Sequence, residues 1–452
     1  MSPATTVEDE YAQARPRSQA LHERARSLLP SGVSHDGRFF MPFPFFVTHA
    51  EGTRKWDVDG HVYIDGWSGH GALVLGHNHP AVVEAITRQA RIGLHYGACH
   101  ELELRWADLV KECVPNAERV RFTTTGTETT ALAIRVARAH TGRTPIIKLE
   151  GHFHGIHDAA AAAVKYPFRT PMSAGIPEET LGTIRVARHN DLAGIEKLMD
   201  EGEVAAVILE PAGAHSAVAP PSPEFLRGLR ALTSAKGVVL IFDEVVSGFR
   251  LAPGGAQEYF GVRADLTCLA KAVAGGLPGA ALVGRADLME RMAFTGDPGR
   301  DRGARVADQG TYSGTPLVAA AGVATLEILK TGDVQRRLNE LGDRVRAQFN
   351  AVLRERGIPG IVYGIGSIVR FFVGKTAAEL GLDRSAYDHE ELDRGMGPLG
   401  AKLHLAMLMN GVDYNRGLGV SWLNAAMTDG DVETMTEAWD RALVRLRRDA
   451  FL

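Results

Sequence analysis

The stretch VVLIFDEVVSGFR, residues 238–250, decides the fold. Val238 to Phe242 is an unbroken apolar run, the pattern of a strand covered on both faces in a parallel sheet. It stops at Asp243 and Glu244, and open α/β folds place their ligand chemistry at the carboxyl ends of such strands. Further on, Lys271 stands alone in a small, apolar segment ahead of Gly275-Gly276. An amine so placed is partly desolvated, which lowers its pKa and makes it a nucleophile toward carbonyls. By themselves the two positions leave a structural acid and a loop lysine equally open.

Working outward, apolar strands alternate with helices. Strands are expected at Val120–Thr123, Ile146–Leu149, Ile184–Val186, Ala205–Leu209, Val238–Phe242, Leu266–Leu269 and Ala280–Val283, with helices over 127–140, 191–200 and 223–235. This alternation predicts an α/β fold with a large, mostly parallel seven-stranded sheet flanked by helices. Upstream, residues 7–29 predict helices interrupted at Pro16. Phe45 to Asp65 reads as strands joined at the Asp59-Gly60 turn, and His79-Pro80 opens a helix running to Ile92. Downstream, 316–357 reads as two helices, Ile361–Val373 as strand, and 397–410 and 430–447 as helices. The Gly- and charge-rich stretch Gly296–Gly310 is expected to be a mobile, solvated loop.

Bulk properties narrow the class. The 452 residues carry a formal net charge of −4, which leaves no basic footprint for nucleic acid or an anionic membrane. Cys99, Cys113 and Cys268 lie far apart with no CxxC spacing, which fits reduced thiols in a cytoplasm better than disulfides or zinc. The first twenty residues hold Glu8, Asp9, Glu10, Arg15 and Arg17 with no apolar core for a signal peptide, and the run Ala159–Val164 is too short for a membrane span.

Four further segments carry chemistry. Arg121 to Glu128 joins a strand to a helix, so Thr125, Gly126 and Thr127 can present N–H groups and hydroxyls to a phosphate. A helix capped by Thr125 or Thr127 is the alternative. Neither GxxxxGK[ST] nor a strand-linked GxGxxG occurs, which argues against ATP or NAD. In Gly151-His152-Phe153-His154-Gly155, Phe153 can stack on an aromatic cofactor and His154 can line its pocket; His152, His154 and His157 lack a carboxylate or cysteine at zinc spacing, so no metal is expected. Glu210 ends the run AAVILE, and Thr311 lies in QGTYSG ahead of a helix. A lysine and a carboxylate so spaced suit pyridoxal phosphate: the lysine bonds the aldehyde and the acid keeps the pyridine nitrogen protonated.

Taken in order, DGHVYID, LGHNHP, GTETTALAIRVARAHTGR, FHG, ILEP, IFDEVVSGFR, QEYFGVRADLTCLAK, GGLPG and GTYSGTPL make the chain resemble class III, fold type I aminotransferases. In layout it is nearest glutamate-1-semialdehyde 2,1-aminomutases and β-amino-acid aminotransferases. The resemblance implies a large domain over 76–329 and a small α+β domain built from 1–75 and 330–452. It implies Lys271 as the cofactor-bonding lysine and 1,3-proton shuttle, Asp243 beside the pyridine nitrogen, and Val245 under the ring. Thr125, Gly126 and Thr127 would hold the phosphate, Phe153 and His154 the ring, and Glu210 the ring-hydroxyl side. Thr311 would reach the phosphate of a neighbouring subunit, which implies a homodimer with shared sites.

The reaction is read from the substrate end. Arg38, in Gly37-Arg38-Phe39-Phe40, falls where the aminomutases place a carboxylate-binding arginine. A solvated surface arginine is the alternative. Around it the aminomutase pattern decays to Ser34-His35-Asp36, to His70 for a tryptophan, to His215 for an asparagine, and to Arg416-Gly417-Leu418-Gly419-Val420, with Arg416 as a second carboxylate partner. These departures lead to the expectation of a ping-pong aminotransferase acting on carboxylate-bearing amino acids and a keto or aldehyde acceptor. An aminomutase-type isomerase and a non-catalytic binding protein of the same fold are the alternatives.

Overall fold

The computed structural model describes residues 6–213, 219–382 and 387–452. The chain divides into two compact units. The larger comprises Pro80–Arg337 and Gly381–Asp393; the smaller comprises the chain up to His79, Leu338–Leu380 and Arg394–Leu452. The sequence places the boundaries at 75/76 and 329/330, whereas the units part at 79/80 and within the long helix Asp333–Glu355. The return of 381–393 to the larger unit has no counterpart in the sequence reading.

The larger unit is built on seven strands: β1 (Arg119–Thr123), β2 (Ile146–Leu149), β3 (Ile184–Ala187), β4 (Ala206–Leu209), β5 (Val239–Asp243), β6 (Leu266–Ala270) and β7 (Ala280–Gly284). Their order is β1-β7-β6-β5-β4-β2-β3. β7 runs antiparallel to both neighbours, and the pairs from β6 through β3 are parallel. All seven predicted strands are present, and the mostly parallel α/β sheet is as expected.

Alternate side chains of each strand enter two different cores. Ile146, Ile208, Ile241 and Cys268 pack with Leu132, Ile134 and Val136 of helix Gly126–Thr141. Ile147, Val207, Leu240 and Phe242 pack with Ile195, Leu226 and Leu229 of helices Leu192–Asp200 and Pro223–Lys236. Both faces are covered, which is why β5 is apolar at every position but its last.

Three expectations are corrected. Helix Glu101–Cys113 is absent from the sequence reading; its N-cap is His100, whose Nδ1 accepts from Glu103 N–H at 3.1 Å. Gly296–Gly310 is not a plain loop but contains the helical turn Pro298–Gly303, capped by Asp297. Ile361–Val373 is a hairpin, Gly360–Ile365 paired with Ile368–Val373, because Gly366 at φ +52° turns the chain between them.

The smaller unit holds that hairpin, extended by Val420–Trp422, and a four-stranded sheet. In the latter, Val47–Glu51, Arg54–Asp57 and Val62–Asp65 are joined by the distant Val412–Asp413, which runs parallel to Val62–Asp65. Buried Lys55 donates to Asp65 and Asp413, so an ion cluster locks the early strands to the late one. No helix among the described residues is long and apolar enough to cross a membrane.

Candidate active site

The carboxyl ends of β1, β2, β4, β5 and β6 converge on one cavity of about 530 Å³, its open mouth included. Gly126, Thr127, Phe153, Glu210, Asp243 and Lys271 are among its walls. Glu210 follows β4, Asp243 ends β5, and Lys271 follows β6. Three adjacent parallel strands therefore deliver two acids and an amine to one place, the position at which this class of sheet binds ligands. Lys271 adopts φ +55°, a left-handed conformation that side chains rarely take, so the chain turns sharply out of β6 at the lysine itself.

Asp243 is buried and held from two sides. Its Oδ1 accepts from Val245 N–H at 3.1 Å and its Oδ2 meets His154 Nδ1 at 2.8 Å. The other imidazole nitrogen, Nε2 of His154, is buried without a hydrogen-bond partner. Behind His154, Thr130 Oγ1 donates to its carbonyl at 2.6 Å and contacts His157 Nε2 at 3.1 Å. Burial pushes His157 down to about 4, and the nearby His154 ring acts in the same direction. Glu210 Oε1 accepts from Phe153 N–H at 2.9 Å, which ties the phenylalanine to the end of β4.

Burial lowers Lys271 to about 8, against the raising influence of Asp243 and Glu210. Only the neutral amine attacks an aldehyde. The rate at which the cofactor-free protein captures pyridoxal phosphate should therefore climb about tenfold per pH unit below that value and level off above it. Stopped-flow absorbance across pH 6 to 10 checks this, and a flat profile would contradict the assignment.

At the start of helix Gly126–Thr141 the capping alternative is present. Thr125 caps helix Gly126–Thr141: its hydroxyl accepts from Glu128 N–H at 3.2 Å, and Glu128 Oε2 accepts from Thr124 and Thr125 N–H. A hydroxyl that accepts one hydrogen bond can still donate its own, and Gly126 and Thr127 line the cavity. A Cβ on Gly126 would come within 2.9 Å of Val245, and one on Gly155 within 2.6 Å of Thr127. Both glycines keep the first helical turn open to an anion. Gly155 and Val246 also line the cavity and were missed by sequence reasoning, although Gly155 belongs to the quoted FHG signature.

The other expected site residues are distributed over both units. Thr311 is exposed in a separate groove of the larger unit with His95, His100, Arg121 and Asp308, and its carbonyl accepts from His95 Nε2 at 2.7 Å. Arg38, His70 and Arg416 belong to the smaller unit. Arg38 is exposed at the end of the turn Asp36–Arg38, and Arg416 donates to the carbonyl of the next residue, Phe39, at 3.1 Å, so both arginines share one neighbourhood. The His70 ring lies 4.5 Å from that of His35 and 4.9 Å from that of Trp67. His215 lies outside the described residues.

An acid and a partly desolvated amine in one cavity, an aromatic side wall and the first turn of a helix at its rim form the donor set that pyridoxal phosphate requires. The parallel sheet with this site at its carboxyl edge defines a pyridoxal-phosphate enzyme of fold type I. The chain belongs to the class-III aminotransferase family, whose model matches residues 38–395. Over 445 residues it is 40% identical to a glutamate-1-semialdehyde 2,1-aminomutase of Methanopyrus kandleri, covering 97% of this chain and 99% of that one. Its structure is similar to an omega-transaminase from Sphaerobacter thermophilus, with a TM-score of 0.86 and 33% identity over 95% of this chain and 98% of the other. It is also similar, at the same TM-score of 0.86 and 27% identity, to a glutamate-1-semialdehyde-aminomutase from Pseudomonas aeruginosa in complex with PMP, covering 97% of both chains. The chain is accordingly a pyridoxal-phosphate-dependent enzyme. By name, the curated relatives favour the aminomutase alternative over the ping-pong expectation.

Proposed function

We propose that this enzyme moves an amino group between adjacent carbons of one carboxylate-bearing substrate, in the manner of glutamate-1-semialdehyde 2,1-aminomutase. The observation that carries this reading is the 40% identity to a relative of that name across 97% of the chain. Pyridoxal phosphate supplies an electron sink for charge developing at the substrate carbon. Asp243, fixed by Val245 and His154, holds a proton at the pyridine nitrogen. Lys271 Nζ takes a proton from the amine-bearing carbon and returns it at a neighbouring position. Gly126 and Thr127 would hold the phosphate at the helix N-terminus, Phe153 would cover one ring face, and Glu210 would lie toward the ring hydroxyl.

Transamination between two molecules is the second reading. It is favoured by the departures at Ser34-His35-Asp36, His70 and Arg416–Val420, and by the likeness to an omega-transaminase. One experiment separates the two. The loaded enzyme is mixed with glutamate-1-semialdehyde, then with a panel of amino acids, in each case without an acceptor. Many turnovers per site support the isomerase; a stop after one equivalent, relieved by adding a keto acid, establishes the transaminase.

Arg38, with Arg416 beside Phe39, is the proposed partner of the substrate carboxylate. Losing a charge-assisted fork costs enough that Arg38→Ala should raise KM for carboxylated substrates about 10- to 100-fold with a smaller change in kcat. An unchanged KM would remove Arg38 from the site.

The active form is proposed to be a homodimer. Ile92, Leu94, Leu104, Phe294 and Tyr312 leave apolar surface exposed on the larger unit, which supports this. Thr311 would then serve the phosphate of the neighbouring subunit. Sedimentation at micromolar concentration decides: a monomeric active enzyme would refute the shared site. Three cysteines without disulfide partners support a reducing, cytoplasmic setting.

A further inference from the structure

A lysine is embedded where a hydrophobe would be expected. Lys148 lies in β2, fully buried between Val186 of β3 and Ile208 of β4, its partners in register. No carboxylate hydrogen-bonds it. Its Nζ instead donates to three backbone carbonyls: His152 at 2.8 Å, Ala160 at 3.2 Å and Ala162 at 2.5 Å. Burying an ammonium without a paired anion is costly, and an apolar side chain of equal volume avoids that cost. What the apolar side chain lacks is three donors on one atom.

The three carbonyls belong to the loop that leaves β2 and closes on itself where Gly151 N–H donates to Ala163 O at 2.9 Å. That loop carries Phe153 and His154, the two side chains that line the cofactor cavity beside Asp243. We propose that Lys148 is a positioning residue for the cofactor, its ammonium fastening the 150–163 loop from beneath so that Phe153 and His154 are held against the ring. The proposal rests on the pyridoxal-phosphate cavity and is independent of which amino-group reaction the enzyme performs.

The stoichiometry gives the device a pH dependence. An ammonium has three N–H groups for three carbonyls; a neutral amine has two, and turns a lone pair toward the third. Burial brings Lys148 down to about 7, opposed by the carboxylate of Glu210 at the end of β4. The other titratable neighbour is His152 in the loop itself, which burial keeps well below the usual imidazole range and therefore uncharged near neutrality. The register partners on β3 and β4 are apolar, and the turn Asp158–Ala160 contributes only the Ala160 carbonyl. Raising pH through neutrality therefore removes one of the three fastenings.

Two readouts independent of turnover test this on the full-length protein. The first is amide hydrogen exchange over 150–163, corrected for intrinsic rates, in wild type and Lys148→Met at pH 6 and pH 8.5. The second is affinity for pyridoxamine phosphate, a probe that forms no bond to Lys271. Wild type should lose loop protection and bind the probe about tenfold more weakly at the higher pH. Lys148→Met should show weak binding and low protection at both values, with no pH step, while segments away from the loop stay protected. A folded Lys148→Met protein with wild-type protection and affinity overturns the proposal. If that variant does not fold, the wild-type series decides alone: protection over 150–163 that is the same at both pH values also overturns it.

Discussion

Lys271→Ala is expected to lower turnover by about 10²–10⁴-fold or more, with the substrate and cofactor cavity otherwise intact. The expectation follows from position. Lys271 is the single amine lining a cavity that also holds Asp243 and Glu210, and burial brings it to about 8, close enough to neutrality to take and return a proton. Among the described residues, His154 is the one histidine lining that cavity and no tyrosine does, and His154 Nδ1 is occupied by Asp243. Removing the lysine therefore takes away the amine proposed to move the proton. The purified variant should also lack the visible absorbance of a lysine-bound cofactor while still binding pyridoxamine phosphate. A variant that turns over at the wild-type rate would end the case for the proton shuttle.

Asp243→Asn should cost about 10²–10³-fold in kcat, the scale on which a single preorganised electrostatic partner acts. The amide keeps the size of the carboxylate; its oxygen can still accept from Val245 N–H, while its NH2 can only donate toward His154 Nδ1, which must then present its lone pair. What disappears is the negative charge proposed to hold a proton at the pyridine nitrogen. The loss should therefore fall on kcat far more than on cofactor affinity, and Asp243→Glu should fare worse than size alone suggests, because Oδ1 and Oδ2 are each fixed by a separate donor. A loss of affinity with unchanged kcat would make Asp243 a binding residue only.

These two positions were legible in the sequence because strand ends in a doubly covered sheet are marked by where the apolar run stops. Val239 to Phe242 must be apolar on both faces, so Asp243 stands out; Lys271 stands out in the same way after Leu266–Ala270. The same rule exposed Glu210. Lys148 broke the rule and was passed over, since a cation inside the run Ile-Ile-Lys-Leu reads as a strand residue until its three carbonyls are seen. Thr125 was legible in two ways, and the capping-box spacing to Glu128 favoured the structural one. Helix Glu101–Cys113 was not legible because an imidazole replaces the usual hydroxyl or carboxylate at its start. The turn at Pro298 could have been found from Asp297-Pro298, an N-cap followed by the residue that suits the first helical position. The pressure of Gly155 on Thr127, and of Gly126 on Val245, needs coordinates, because those neighbours are far apart along the chain.

The interleaving of chain ends in the smaller unit has a consequence for biosynthesis. The seven-stranded sheet is complete once Gly284 has left the ribosome, and its strands and helices come from one continuous stretch. The four-stranded sheet is different: Val62–Asp65 is made some 350 residues before its neighbour Val412–Asp413. Until then Ile64 has Arg54 on one side but lacks Val412 on the other, and Lys55 lacks one of its two carboxylates. A nascent chain stalled before residue 412 presents an open strand edge, the feature that chaperones guard and that aggregation exploits.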